Sequence, residues 1–302
     1  MRILITGSNG LLGQKLVGLL REQPNVELIA TSRGSNKLAS IYPDLHFVPL
    51  DVSDQAQVQA LIAAHQPTHL IHTAAMTNVD ECELNQAECW RQNVIAVEYL
   101  VEACATHQVH LIHVSTDFIF SGAEGPLAEE VEPGPVNFYG HSKLAAEQLV
   151  RESQGAWAII RTVLVYGTAH DYGRTNIVLW VRDSLRAGKA IKVVNDQFRT
   201  PTLAEDLAQG CWLAAKHNAT GIYHISSDEM FTPYQMALRV ADFFGLDQSL
   251  ITKVDASSFT QPAKRPLRTG FIISKAQRDL GFQPHSFEEG IALLDQQTKS
   301  VQ

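Results

Sequence analysis

The chain has 302 residues, 45% hydrophobic and 19% charged, the balance of a globular protein with ample material for a core. Its formal net charge of −8 offers no basic footprint for nucleic acid. The four cysteines (Cys82, Cys89, Cys104, Cys211) lack disulfide or C-x-x-C spacing and read as buried, reduced thiols. No apolar run has the length of a signal peptide or a membrane span, so the expected location is cytoplasmic.

Taken in chain order, an apolar strand at Ile3–Thr6 runs directly into Gly7-Ser-Asn9-Gly10-Leu11-Leu12-Gly13, and a helix follows over Leu11–Arg21. Glycines at this spacing permit a tight turn and close approach of backbone to a pyrophosphate, with the free N–H groups of the helix start facing the phosphates. The spacing is G-x-x-G-x-x-G, one residue wider than the usual dinucleotide fingerprint. The second strand, Glu27–Thr31, is followed by Ser32 and Arg33 where an NAD-binding fold usually has an acid for the ribose hydroxyl. A guanidinium suits a 2′-phosphate, so NADP(H) is the expected cofactor, with NAD(H) as the alternative. A third strand at His46–Pro49 precedes Asp51 and Val52, placed to meet the adenine. A fourth at Leu70–Thr73 precedes Ala74 and Ala75, placed along the cofactor's path. Helices are expected at Asp54–Ala64 and Gln86–His107, and a fifth strand at Leu111–Ser115.

The loop Gly122–Pro135 is long and rich in Gly, Pro and Glu, which suits the border of a site. Tyr139-Gly-His-Ser-Lys143 then opens a helix running to Ser153. Positions i and i+4 share a helix face, so phenol and ammonium reach one place. A lysine there is expected to lower the phenol's pKa and let it exchange a proton with a substrate oxygen near neutral pH. A hydroxyl donor, Thr116, ends the fifth strand beside this helix, at the sheet edge where ligands of doubly wound folds collect.

A sixth strand is expected at Ala158–Val163, after which the alternation loosens. Helices are expected at Asn176–Ala187, Thr202–Lys216, Thr232–Phe244, Ser274–Leu280 and Ser286–Leu294, and strands at Ile191–Val194 and Gly221–Ile225. The fold class is α/β: a doubly wound, Rossmann-type parallel sheet with a smaller C-terminal α/β substrate domain. The expected partition gives 1–166 to the dinucleotide domain, completed by parts of 199–225, and 167–198 with 226–302 to the substrate domain. His72, His110 and His113 fall in or beside strands and read as packed, satisfied core residues. Arg265 and Arg268, in an extended loop, are candidates to clamp an anionic part of the substrate.

These segments together resemble the extended short-chain dehydrogenase/reductases, and within them the dTDP-4-dehydrorhamnose reductase family. The resemblance runs through Gly7–Gly13, His72–Glu83, Ser115–Phe120, Asn137–Lys143, Arg161–Gly167, Asn195–Thr202 and Arg265-Pro266. It implies that Thr116 hydrogen-bonds a substrate carbonyl, that Tyr139 supplies a proton, and that Lys143 holds the nicotinamide ribose. It also makes Asn93 the residue whose side chain helps order a relay water. The implied reaction is reduction of a keto group on a nucleotide-linked deoxyhexose. The chain departs from the family pattern at two substrate-side positions. Phe118 stands where the family has an aromatic hydroxyl, and Leu164 where it has tryptophan. No metal site is assigned. Two other readings stay open: an NADP-binding regulatory subunit like that of methionine adenosyltransferase, and a nucleotide-sugar epimerase. A homodimer is the default assembly.

Overall fold

The computed structural model describes residues 1–170 and 176–299. Its strands are β1 (Arg2–Thr6), β2 (Glu27–Ser32), β3 (Phe47–Pro49), β4 (His69–His72), β5 (His110–Thr116) and β6 (Trp157–Thr162). Further along come β7 (Val165–Tyr166), β8 (Ile191–Val194), β9 (Thr202–Leu203), β10 (Gly221–His224) and β11 (Ile251–Val254). Seven of them form one sheet in the order β10-β6-β5-β4-β1-β2-β3, every neighbouring pair parallel. The order reverses at β1, which pairs with both β2 and β4, and a ligand crevice opens at such a point beyond the carboxyl ends of the strands.

The helices explain why the middles of these strands are apolar. In order they are α1 (Leu11–Arg21), α2 (Gln55–His65), α3 (Val79–Leu84), α4 (Gln86–Trp90), α5 (Ala96–His107) and α6 (Phe138–Glu152). After them follow α7 (Ile177–Arg186), α8 (Ala204–Lys216), α9 (Pro233–Phe243), α10 (Ser274–Leu280) and α11 (Phe287–Lys299). On one face of the sheet, Leu16, Val17 and Leu20 of α1 and Leu207 and Cys211 of α8 pack with Ile3 and Ile5. On the other, Val58 and Ile62 of α2, Leu100 of α5 and Val150 of α6 pack with Leu4. Successive strand side chains alternate between faces, so Ile3-Leu4-Ile5 feeds both cores, and helices cover the sheet on both faces.

A separate core joins α7, α9 and α11 to the two-stranded β8–β11 sheet through Val178, Val181, Ile191, Met236, Val240, Ile251 and Phe287. Strand β10 lies far along the chain yet completes the large sheet against β6.

Several elements differ from expectation, among them β7 and β9, neither of which was expected as a strand; Thr202 and Leu203 were expected to open the following helix. The helix expected over Gln86–His107 is interrupted by a π-helical turn at Arg91–Ile95 between α4 and α5. Helix α3 was not expected, although Asn78 caps it by accepting from the Glu81 amide. Strand β11 was also unexpected: Thr252 and Lys253 are exposed, so its sequence lacks an apolar run. No helix among the described residues is long and apolar enough to cross a membrane.

Candidate active site

The carboxyl ends of β1, β2, β4 and β5 and the start of α6 surround a cleft of ≈ 770 Å³. Gly7, Gly10, Leu11, Leu12 and Gly13 floor one end. Gly7 holds φ +74°, and a Cβ on Gly13 would lie 2.3 Å from the Gly7 carbonyl oxygen, so the turn closes only with glycine there. No side chain caps the N-terminus of α1, and the Ser8 hydroxyl beside it is buried with no protein partner. Unpaired donors at a helix start form an anion site.

Ser32, Arg33, Asp51 and Val52 line the adjoining wall, and Arg33 is exposed to the cleft. Partial burial would raise the Asp51 carboxyl, but hydrogen bonds from Ser53 and the charges of Arg33 and Arg91 hold it below the usual carboxylate range. Ala74 and Ala75 follow β4 into the same cleft. Asn9 does not line it. Its amide donates to the Ser35 carbonyl at 2.8 Å and its oxygen accepts from the Lys37 amide at 3.0 Å, fixing the loop after β2.

Thr116, Phe118, Tyr139 and Lys143 line the other end. Asn137 places the last two by starting α6: its side chain accepts from the Gly140 amide at 2.8 Å and donates to the Lys264 carbonyl at 2.7 Å. Gly140 lets the helix press on the β5 terminus, since a Cβ there would lie 2.1 Å from the Phe118 carbonyl oxygen. The Phe118 and Tyr139 rings meet edge to face at 5.8 Å. The Thr116 hydroxyl accepts from the Phe118 amide and donates to Asp117, both at 3.2 Å.

Burial raises the Tyr139 phenol above its ordinary range, the Thr116 hydroxyl only partly offsetting it. This reverses the expectation that Lys143 lowers it. The ammonium instead donates to the Val114 carbonyl at 2.8 Å and lies 3.3 Å from His113 Nε2. Burial brings Lys143 down to about 8, against the opposing charges of Glu147 and Cys89.

Other expected residues sit elsewhere. Asn93, 0% exposed, spends its side chain on the protein: it accepts from the Met76 amide at 2.8 Å and donates to the Met76 carbonyl and Ser142. It hooks the π-helical turn to the segment after β4. Arg265 forms a two-pronged pair with Asp80 at 2.6 and 2.7 Å, which occupies the guanidinium expected to clamp substrate. The Arg268 guanidinium lies over the Phe198 ring at 4.0 Å. His72, His110 and His113 are buried as expected, but one ring nitrogen of each has no protein partner.

Leu164 lines the cleft, 38% exposed, at φ +39°. Left-handed backbone at a γ-branched residue is strained, and such strain gathers where a side chain must be aimed. Met76, Glu81, Glu88 and Gln92 also line the cleft and were missed from sequence. The Asn78 cap signals the helix that carries Glu81; Glu88 and Gln92 lie beyond it, on α4 and the π-helical turn.

The chain is similar to known proteins over nearly its whole length. The family described as RmlD substrate binding domain covers residues 1–299. A protein of Haloferax volcanii named "Probable low-salt glycan biosynthesis reductase Agl14" is 31% identical over 98% of this chain and 97% of its own. The "dTDP-4-keto-6-deoxy-D-glucose reductase" of Streptomyces niveus is 31% identical over 94% of this chain and 92% of its own. The crystal structure of dTDP-4-dehydrorhamnose reductase from Bacillus anthracis in complex with NADP superposes with a TM-score of 0.83 at 28% identity, over 98% and 99% of the two chains. The chain belongs to the RmlD substrate binding domain family.

Proposed function

We propose that this protein is an NADP(H)-dependent reductase that converts the keto group of a nucleotide-linked 4-keto-6-deoxyhexose to an alcohol. The observation that carries the reading is one cleft bordered by Gly7–Gly13 and Arg33 at one end and by Thr116, Tyr139 and Lys143 at the other. The names of the reductase relatives and the NADP complex of the B. anthracis enzyme support it. The uncapped start of α1 and the buried Ser8 hydroxyl fit a pyrophosphate, and Arg33 fits a 2′-phosphate. NADPH, when bound, supplies the hydride.

The chain supplies the rest. Thr116 turns its hydroxyl to the substrate carbonyl and holds it. The Tyr139 phenol, kept protonated by burial, donates its proton to the oxygen as negative charge develops there. Lys143 keeps a positive charge beside that oxygen. Phe118 and Leu164 present an apolar wall, which suits a deoxysugar carbon better than a hydroxymethyl group. The regulatory-subunit and epimerase readings are not favoured, since neither needs an intact proton donor set together with Arg33.

Purified protein mixed with NADPH and dTDP-4-keto-6-deoxyglucose should oxidise NADPH, with an alcohol product visible by mass spectrometry. Turnover of simple ketones alone would remove the nucleotide-sugar part of the reading.

A further inference from the structure

We propose that His113 is a positioning residue for this reaction: its neutral ring accepts a hydrogen bond from Lys143 through Nε2 and so holds the ammonium charged and aimed into the cleft. The inference rests on the reading of Lys143 as part of the catalytic set.

Lys143 is 3% exposed, so its charge survives only with acceptors close by. Among the described residues two meet Nζ: the Val114 carbonyl at 2.8 Å and His113 Nε2 at 3.3 Å. An ammonium has three donors, so the third remains for the cleft. The Glu147 carboxylate, one turn along α6, does not serve, because Arg161 engages it two-pronged at 3.0 and 2.7 Å.

The donor fixes the acceptor's tautomer. An ammonium has no lone pair, so Nε2 must be unprotonated and the ring hydrogen must sit on Nδ1. Nδ1 has no protein partner, so no bond on that side sets the tautomer; the lysine does. The surroundings keep the ring neutral. His113 is 0% exposed and stacks at 5.4 Å on His72, which is 2% exposed and engages Thr6 Oγ1 through Nδ1 at 2.7 Å. Burial and the Lys143 charge hold both rings below their ordinary value.

The titratable groups facing the ammonium are Glu147 on its own helix, His113 on β5, His72 on β4 and Cys89 on α4. Only His113 touches it. With Lys143 brought down to about 8, the ammonium is close to losing its proton under working conditions, and each acceptor counts.

The test is the pH profile of kcat/KM for NADPH-dependent reduction of dTDP-4-keto-6-deoxyglucose by the unaltered protein, His113→Met and His113→Gln. Methionine keeps an apolar volume and removes the acceptor, whereas glutamine brings a carbonyl oxygen close to the Nε2 position. For His113→Met the alkaline limb should fall by about one to two pH units, the effect of one hydrogen bond to a charged group, with turnover recovered at lower pH. His113→Gln should stay near the unaltered profile. An unmoved limb in the methionine variant, or equal shifts in both, overturns the inference. Should the methionine variant not fold, nitrogen-15 spectra of the unaltered protein decide: an unprotonated His113 Nε2 supports the inference and a protonated one overturns it. Lys143→Met measured alongside separates the two readings. Lost turnover there with an unmoved His113→Met limb condemns this inference alone; unchanged turnover removes the catalytic reading beneath it.

Discussion

At the scale of single residues, the cofactor wall is the simplest to test. Arg33 is exposed at the cleft and stands where an acid would select NADH. Arg33→Ala should weaken NADPH binding by about 1.5–3 kcal/mol and leave NADH nearly unchanged, measured by calorimetric titration. Leu164 tests the substrate wall. Glycine relieves left-handed strain, so Leu164→Gly should keep or raise the melting temperature, by the equivalent of about 1 kcal/mol, while KM for the keto-sugar rises. A variant less stable and unchanged in KM would make Leu164 a packing residue. Much of this wall was legible because motif and chemistry coincide: a glycine turn after the first strand, Tyr139 and Lys143 one turn apart. Asn9, Asn93 and Arg265 were not. Polar side chains near a site read alike in sequence whether they face the ligand or hold a loop. Only the partners, Ser35, Met76 and Asp80, tell them apart.

At the scale of elements, α6 brings the proposed proton donor to the cleft because it can lie against the end of β5. Gly140 permits that approach, and the obstructing atom is backbone. Gly140→Ala must therefore displace helix or strand. It should destabilise the protein by about 1–3 kcal/mol and lower turnover at least tenfold; denaturant titration and steady-state assay read the two effects. A fully active, equally stable variant would show that α6 has slack. The apolar strands and amphipathic helices were readable from period, since β1, β4 and β5 are buried on both faces. The π-helical turn was not, because nothing in Arg91–Ile95 breaks helical periodicity. Its cause is tertiary, the pull of Met76 on Asn93. Strand β11 was hidden for the opposite reason, exposed polar residues on a short edge.

At the scale of the molecule, the sheet and the C-terminal segments meet at a buried charge. Asp117, next to Thr116, bonds the Thr269 hydroxyl and lies 3.6 Å from Arg199, whose other donors reach the Pro266 and Leu267 carbonyls. The residue that orients the Thr116 hydroxyl is thus anchored in the later half of the chain. Buried histidines set the acid limit of the whole. His72 and His224 are brought down to about 3, and His113 lies well below its ordinary value, all chiefly by burial. Below about pH 6.5 the unfolded chain binds protons that the folded chain refuses, so stability present above that pH is lost as pH falls. Below that pH each such histidine costs up to about 1.4 kcal/mol per pH unit. Melting temperatures should drop steadily from pH 7 to 5, and a flat profile would mean these rings take up protons while folded. The central claim is that the cleft reduces a ketone with Tyr139 as proton donor, and Tyr139→Phe tests it most directly because the ring and its packing stay. The measurement is single-turnover NADPH oxidation with dTDP-4-keto-6-deoxyglucose, alongside NADPH affinity and melting temperature. The predicted result is a rate lower by about 10²–10⁴-fold with the other two nearly unchanged; a rate equal to that of the unaltered protein would contradict the account.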